Sequence, residues 1–290
     1  MQVLRSFLFT PGNHPRRVAK VFDVGADAVI LDLEDAVAKA EKVATRKMVV
    51  EAMQRPRKCR GYIRVNGINT EFCFGDLAEV VRPGVDGIIL PMAESAHHVW
   101  TVDWVMRQLE REHGIEPGSI DLVPIIETGA GLAAVQEIAG AGTRIRRIAF
   151  GAGDFTLDMN LRWTRNEAEL AHARATIVLA SRAAGLEPPF DTVWADLRDA
   201  EGFEASARTA LQSGFQGKMC IHPDQVPVVN RVFAPTEAEV TQARAVVEAF
   251  KKAEAEGLAS IQVNGQFVDY PIVYRAQRLL ERADAIAARG

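Results

Sequence analysis

The sequence predicts an α/β protein, a (β/α)8 or TIM barrel with a C-terminal helical extension. Three observations lead there. Short β-branched or apolar runs alternate with longer amphipathic stretches almost from end to end, the signature of repeated βα units and a parallel sheet. Eight such runs occur, the number that closes a barrel of this type. A chain of 290 residues with 48% hydrophobic content can bury one large core, and barrels of this length fold as one domain.

The strand candidates are Val3–Phe9, Ala28–Leu33, Gly61–Val65, Gly87–Leu90, Leu122–Ile126, Arg147–Phe150, Thr192–Ala195 and Gly217–Ile221. Helical stretches lie between them, among them Ala36–Met53, Ala96–His113, Leu132–Ala139, Glu167–Ala184 and Glu204–Ser213. Gly25, Gly185 and Gly214 stand where a helix C-terminal glycine precedes the next strand. Beyond the eighth strand, Pro235-Thr236 opens another helix, with Thr236 as cap and Glu239 as its capping-box partner. Asn264-Gly265 between alternating apolar residues marks a tight turn, and an amphipathic helix over Ile272–Ala288 closes the chain. The expected organisation is a catalytic barrel over residues 1–234 and a helix–turn–helix extension over 235–290. The extension is not needed to close a barrel, so it is expected to pack on a neighbouring subunit or to cover the active site.

Composition narrows the function classes. The net charge is -4 and no dense Lys/Arg block occurs, which argues against a nucleic-acid partner. The apolar stretch near the N-terminus is too short for a secretory signal, and no run reaches the ~20 apolar residues of a membrane span. Cys59, Cys73 and Cys220 are scattered, without the paired spacing of a disulfide framework or a zinc site. A cytoplasmic location is expected.

In such barrels the active site gathers at the C-terminal ends of the strands. Read in order, those ends present Thr10-Pro11-Gly12-Asn13; Asp32, Glu34 and Asp35; Arg64 and Asn66; Pro91-Met92; Glu127-Thr128; Asp154; Asp196; and His222. Glu127 and Asp154 come from adjacent strands and can reach one cation, and an oxygen-rich site of this kind suits a hard divalent ion. Each carboxylate alone could instead cap the helix that follows it. Gly129, Gly151 and Gly153 remove side chains where backbone must come close to a ligand. Arg64 falls where strand alternation puts a buried side chain, and its planar fork suits a carboxylate. That carboxylate is either the substrate's or one of Asp32, Glu34 and Asp35. Lys42 and Arg46, spaced i,i+4, could neutralise this acidic run, which could also form a second metal site. Arg16, Arg17 and Lys20 after the first turn could receive phosphates or form a solvated charged face. His222 could be a base or could hydrogen-bond its own loop, and His97-His98 are given no role.

At these residues the chain resembles the citrate lyase β-subunit-like family, part of a wider aldolase superfamily that includes malyl-CoA and citramalyl-CoA lyases. The motifs are SFLFTPGNHPRR, GADAVILDLEDAV followed by Lys42 and Arg46, IRVN, GIILP, PIIETGAG, FGAGDFT, GKMCIHP and GQFVDYP. Their order is far more specific than any one of them. The resemblance implies Mg2+, with Mn2+ as an alternative, bound by Glu127 and Asp154, and a substrate held by Arg64 together with Glu127, Gly153 and Asp154. It implies that Asp269 enters a neighbouring subunit's active site and handles the proton on the acetyl methyl carbon. It places Thr10, Pro11, Asn13 and Arg16 near the phosphates of CoA or an acyl carrier. The implied reaction cleaves or forms a malyl-, citramalyl- or citryl-type CoA thioester, giving an acetyl-type thioester and a 2-oxo acid. Glu34, Asp35 or a metal-bound water would take the hydroxyl proton. A homo-oligomer, a trimer or a dimer of trimers, is the family expectation. Two alternatives stand beside this: an aldolase acting on free oxo acids without CoA, and a citrate lyase complex subunit using an acyl-carrier-bound substrate. One departure is Met92, where members commonly carry lysine.

Overall fold

A computed structural model describes residues 3–288. Eight parallel strands close a barrel: β1 (Ser6–Pro11), β2 (Ala28–Asp32), β3 (Arg60–Arg64), β4 (Gly87–Leu90), β5 (Asp121–Ile126), β6 (Ala149–Phe150), β7 (Phe190–Asp191) and β8 (Gly217–Cys220). They pair in sequence order, and β8 returns to β1 with Phe7 opposite Met219. The helices are α1 (Pro15–Lys20), α2 (Lys42–Met53), α3 (Cys73–Val80), α4 (Ala96–Glu112), α5 (Gly129–Ala133), α6 (Val135–Ala139), α7 (Ala152–Asp158), α8 (Ala171–Ala183), α9 (Ala200–Ser213) and α10 (Gln225–Val232). Among the described residues no helix is long and apolar enough to cross a membrane.

Strand alternation fills the barrel. Phe7, Ala28, Ile30, Tyr62, Ile89, Val123, Ile125, Ala149, Phe190 and Met219 form one buried cluster, each large member stabilising the fold by roughly 1.5–3 kcal/mol. Intervening residues such as Val29, Leu31, Ile63 and Ile88 are also buried, as expected where helices cover the outside of a parallel sheet. The Phe7 ring lies 4.1 Å from Phe190 and 5.1 Å from Tyr62. Gly87 is required here, because a Cβ would collide with the Tyr62 ring.

The N-terminal end of the barrel is closed by charge. The Tyr62 hydroxyl donates to Asp121 at 3.0 Å, and Arg147 donates to Asp121 at 2.7 Å while its other edge meets Glu187. Charge balance at this end of the barrel serves stability, since catalytic groups gather at the other. A second buried network stands between β7, β8 and the helix layer. Asp191 receives both Arg174 Nε and Nη2 at 2.9 Å and Lys218 Nζ at 2.6 Å, and Glu167 receives Arg174 at 2.8 Å and Ser206 at 2.7 Å. Burial alone would raise the Asp191 carboxyl, but Lys218 and Arg174 hold it below its usual range.

Several elements differ from the sequence expectation, the first strand among them, which is Ser6–Pro11 instead of Val3–Phe9. The seventh strand is Phe190–Asp191 instead of Thr192–Ala195, because Thr192 leaves the ladder and its hydroxyl accepts from the Ala152 amide at 2.8 Å. The helix expected from Ala36 begins at Lys42, since the Asp32 carboxylate captures the Ala36 amide at 3.1 Å in a turn. The stretch over Leu132–Ala139 divides into α5 and α6 at Ala134.

One compact unit spans Leu4–Asn230, and the chain from Arg231 belongs to a second. The second contains α11 (Glu237–Ala255), β9 (Ser260–Val263), β10 (Gln266–Asp269) and α12 (Tyr270–Ala287). Thr236 and Glu239 complete both arms of a capping box on α11. The turn expected between two helices is an antiparallel hairpin. Asn264 and Gly265 at its tip have φ of 50° and 79°, the positive pair that a type I′ turn requires. Val246, Phe250, Val268 and Val273 form the core of this unit.

Candidate active site

The parity that points Ile30, Tyr62 and Ile125 into the barrel carries Asp32, Arg64 and Glu127, two residues further along each strand, onto the top of the same core. Charged groups placed there by strand alternation are costly unless they satisfy one another. Arg64 meets that condition with its whole fork. Nε and Nη2 donate to Asp32 at 2.7 and 2.6 Å, and Nη1 lies 2.8 Å from Glu34 and 3.8 Å from Asp35. Its guanidinium also covers the Phe9 ring at 4.9 Å. Asp32 further accepts the Glu34 amide at 2.9 Å. Burial alone would raise Asp32, but the charge and hydrogen bonds of Arg64 hold it low. Burial alone would lower Arg64, and the Asp32 charge drives it upward instead.

Three acids in the same region behave in the opposite way. Burial pushes Glu127 up to about 8, against the opposing pull of the Met92 amide and Arg64. Burial likewise pushes Glu34 up to about 8. The Asp154 carboxyl is raised by burial and by the charge of Asp35. Asp154 stands in the first turn of α7, directly after β6, and is hydrogen-bonded to Glu127.

Glu127 is fixed by two neighbours. Its Oε1 accepts from the Met92 amide at 2.7 Å, and Met92 adopts φ of 52°, a left-handed conformation costing about 1–3 kcal/mol in a non-glycine residue. Gly151 leaves it room, since a Cβ there would approach Glu127 Oε2 to 2.5 Å. Two carboxyls in contact retain a proton or receive a cation between them. All their donor atoms are carboxylate oxygens, so a hard divalent ion fits. Among the described residues no group of three His, Cys, Asp or Glu side chains forms a complete cage, which leaves further coordination positions to water or substrate oxygen.

The other expected residues divide. Thr10 is buried and Pro11 lines a cleft of about 420 Å³ together with Phe9, Asp32, Asp35 and Arg64. Asn13 donates to Glu41 at 2.6 Å, and Arg16 lies exposed on α1. A Cβ on Gly153 would meet open space, so packing within the chain does not require that glycine, unlike Gly151. Lys42 and Arg46 do not neutralise the acidic run. Lys42 donates to the Leu33 and Glu34 carbonyls, and Arg46 pairs with Asp76 at 2.7 Å. Asn66 is also structural, bound to Leu33 and Asp76. Asp196 accepts the Arg198 amide, and His222 interacts with Asp224 in its own loop. Asp269 caps α12 through the Ile272 amide.

Sequence reasoning missed Gln225. Its side chain accepts the Ile221 amide at 2.8 Å and donates to the Trp194 carbonyl at 3.0 Å, tying the ends of β7 and β8 together. It also missed the apolar side of the cleft, formed by Phe9, Val193 and Ile221, although Phe9 and Ile221 continue the inward parity of their strands.

Comparison with known proteins identifies the family. The profile of the HpcH/HpaI aldolase/citrate lyase family matches residues 5–223. The chain belongs to this family. A citrate lyase subunit beta from Leuconostoc mesenteroides subsp. cremoris is 39% identical to it, over 97% of this chain and 93% of that protein. An L-malyl-CoA/beta-methylmalyl-CoA lyase from Rhodobacter capsulatus is 34% identical, over 97% and 94%. A crystal structure of the protein CitE from Mycobacterium tuberculosis, in complex with magnesium, acetoacetate and coenzyme A, is 30% identical. It superimposes with a TM-score of 0.77 over 97% of this chain and 98% of that one. This HpcH/HpaI family member is an enzyme of the lyase class, on the barrel that its relatives share.

Proposed function

We propose that this family member is a Mg2+-dependent carbon–carbon lyase. It cleaves, or in reverse forms, a 3-hydroxyacyl thioester of the malyl-, citramalyl- or citryl-CoA type, giving an acetyl-type thioester and a 2-oxo acid. The observation that carries this reading is the contact pair Glu127 and Asp154 beside the Arg64 fork at neighbouring strand ends. Relatives named as malyl-CoA lyase and citrate lyase subunit beta support it.

In this reading Glu127 and Asp154 hold Mg2+, and Mn2+ would accept the same oxygen donors. The bound ion supplies Lewis-acid polarisation of the substrate's hydroxyl or carbonyl oxygen. Arg64 takes the carboxylate of the 2-hydroxy acid end through Nη1, the nitrogen that Asp32 leaves uncommitted. The open face at Gly153 lets substrate approach beside Asp154. Glu34, at about 8, is matched to removing the hydroxyl proton near neutral pH, with the more exposed Asp35 as the other acceptor. As that proton leaves, the carbon–carbon bond breaks and its electron pair passes into the thioester enolate. Asp269 of a neighbouring copy, in a trimer or a dimer of trimers, delivers a proton to the enolate carbon and removes it in the synthetic direction. Thr10, Pro11, Asn13 and Arg16 lie along the segment assigned to the CoA phosphates.

Kinetics of Asp269→Asn and Arg16→Ala with malyl-, citramalyl- and citryl-CoA test this. Asp269→Asn is expected to lose about 10²-fold or more in turnover while calorimetry shows Mg2+ binding unchanged, and Arg16→Ala to raise KM. Wild-type protein that releases no oxo acid from any of the three thioesters refutes the reading. Unaltered kinetics in both variants would favour an aldolase on free oxo acids. The 39% identity to a citrate lyase subunit supports a second reading, an acyl-carrier thioester as substrate. Turnover of the purified chain with CoA thioesters alone would reject it.

A further inference from the structure

Resting on the lyase reading, we infer that the cleft selects a 2-oxo acid with one carboxylate and a hydrogen or short alkyl substituent, and discriminates against a second carboxylate. Two independent features of the cleft support this.

The first is the supply of cations. Two arginines line the cleft, Arg64 and Arg17. Arg64 has Nε and Nη2 committed to Asp32, and its third nitrogen, Nη1, lies 2.8 Å from Glu34, so an incoming carboxylate must share or displace that single contact. Arg17 reaches the cleft from the exposed side of the short helix α1. Around Arg64 stand Asp32, Glu34 and Asp35, and Glu127 and Asp154 act on it electrostatically. Met92, whose amide holds Glu127, contributes an apolar side chain and no charge. Away from Arg17 at the exposed mouth, a substrate carboxylate in excess of the first would therefore face like charge.

The second is the apolar part of the lining. Phe9 on β1, Val193 in the loop after β7 and Ile221 just after β8 line the cleft with hydrocarbon side chains. Phe9 and Val193 are the partly exposed upper edge of the barrel core, and Gln225 fixes the backbone at Ile221 and Trp194. A methyl or ethyl group placed there loses water favourably. A carboxylate placed against Val193 and Ile221, beyond the part of Phe9 that Arg64 covers, loses its hydration with no donor from those side chains in return.

The test uses full-length, Mg2+-supplemented protein and three free oxo acids as calorimetric probes: pyruvate, 2-oxobutyrate and oxaloacetate. The last two have equal chain length and differ in a terminal methyl against a carboxylate, which isolates the charge. Expected is binding of 2-oxobutyrate about tenfold or more tighter than oxaloacetate, a difference of about 1.4 kcal/mol or more. Ile221→Arg, a change at a half-exposed wall position, should narrow that gap by strengthening oxaloacetate. Equal or tighter binding of oxaloacetate to the wild type overturns the inference and would assign Arg17 to a second carboxylate. Failure of pyruvate and 2-oxobutyrate to bind overturns it as well. Thioester cleavage is measured in parallel, so that loss of selectivity with cleavage retained rejects this inference alone, whereas absence of cleavage rejects the lyase reading itself.

Discussion

Replacing Glu127 by Gln isolates the electrostatic cost of the proposed metal site. The carboxyl is lifted from 4.5 to about 8 by burial, so the folded protein binds its proton more tightly than the unfolded chain does. Stability from this group is complete below about 4.5, falls as pH rises towards 8, and is constant beyond. Over that interval the loss is about 5 kcal/mol at 1.36 kcal/mol per pH unit. Water entering the cleft softens it, and about 2–4 kcal/mol is expected. Glutamine keeps an oxygen for the Met92 amide and carries no charge. Metal-free Glu127→Gln should therefore gain stability relative to wild type between pH 5 and pH 9, read by urea denaturation at both. Mg2+ should reverse the order: at 100 times its Kd it stabilises the wild type by about 2.7 kcal/mol and leaves the variant unmoved. A stability difference independent of pH, or equal stabilisation of both proteins by Mg2+, would refute the reasoning.

Two further substitutions separate the site from its support. Gly151→Ala puts a Cβ 2.5 Å from Glu127 Oε2 and 2.9 Å from Ile125 Cγ2. It should lower Mg2+ affinity at least tenfold by calorimetry and cost about 1–3 kcal/mol of stability, whereas unchanged affinity would show that the carboxylate does not need its present position. Arg174→Met leaves Asp191 and Glu167 buried without their shared partner. A loss of about 3–5 kcal/mol in urea denaturation is expected, and a loss below about 1 kcal/mol would show that Lys218 alone compensates Asp191.

What could be read from sequence followed from periodicity. Strand runs announce themselves because alternate residues must enter the barrel; that rule brings Arg64 and Glu127 to one end of it, and the position of Asp154 just after the sixth run brings it to the same end. The seventh strand escaped because its second residue, Asp191, is a charge that reads as surface. Only Arg174 and Lys218, distant in sequence, make it a buried strand residue. Thr192-Val193-Trp194 has strand-like composition yet forms the loop above it. The left-handed turn at Met92 carries no signal either, since methionine has no preference for positive φ. Its role is visible only as an amide aimed at Glu127. The closure of the barrel base depends on Tyr62, Asp121, Arg147 and Glu187, residues from separate strands and loops whose meeting is a property of the closed ring.

The placement of side chains around that ring has a consequence for how the enzyme can change. The acids and the guanidinium stand on β2, β3, β5 and β6, and the apolar lining stands on β1 and just after β7 and β8. On the reading proposed above, reactivity and substrate range divide between two arcs that meet where Arg64 covers Phe9, and the apolar arc is braced from behind by Gln225 and by the Asp191 network. Exchanges at Val193 or Ile221 can retune which acids enter while the reacting arc keeps its geometry. If the proposed reaction holds, one barrel could in this way serve a series of related thioesters by altering a few carbon atoms along its rim.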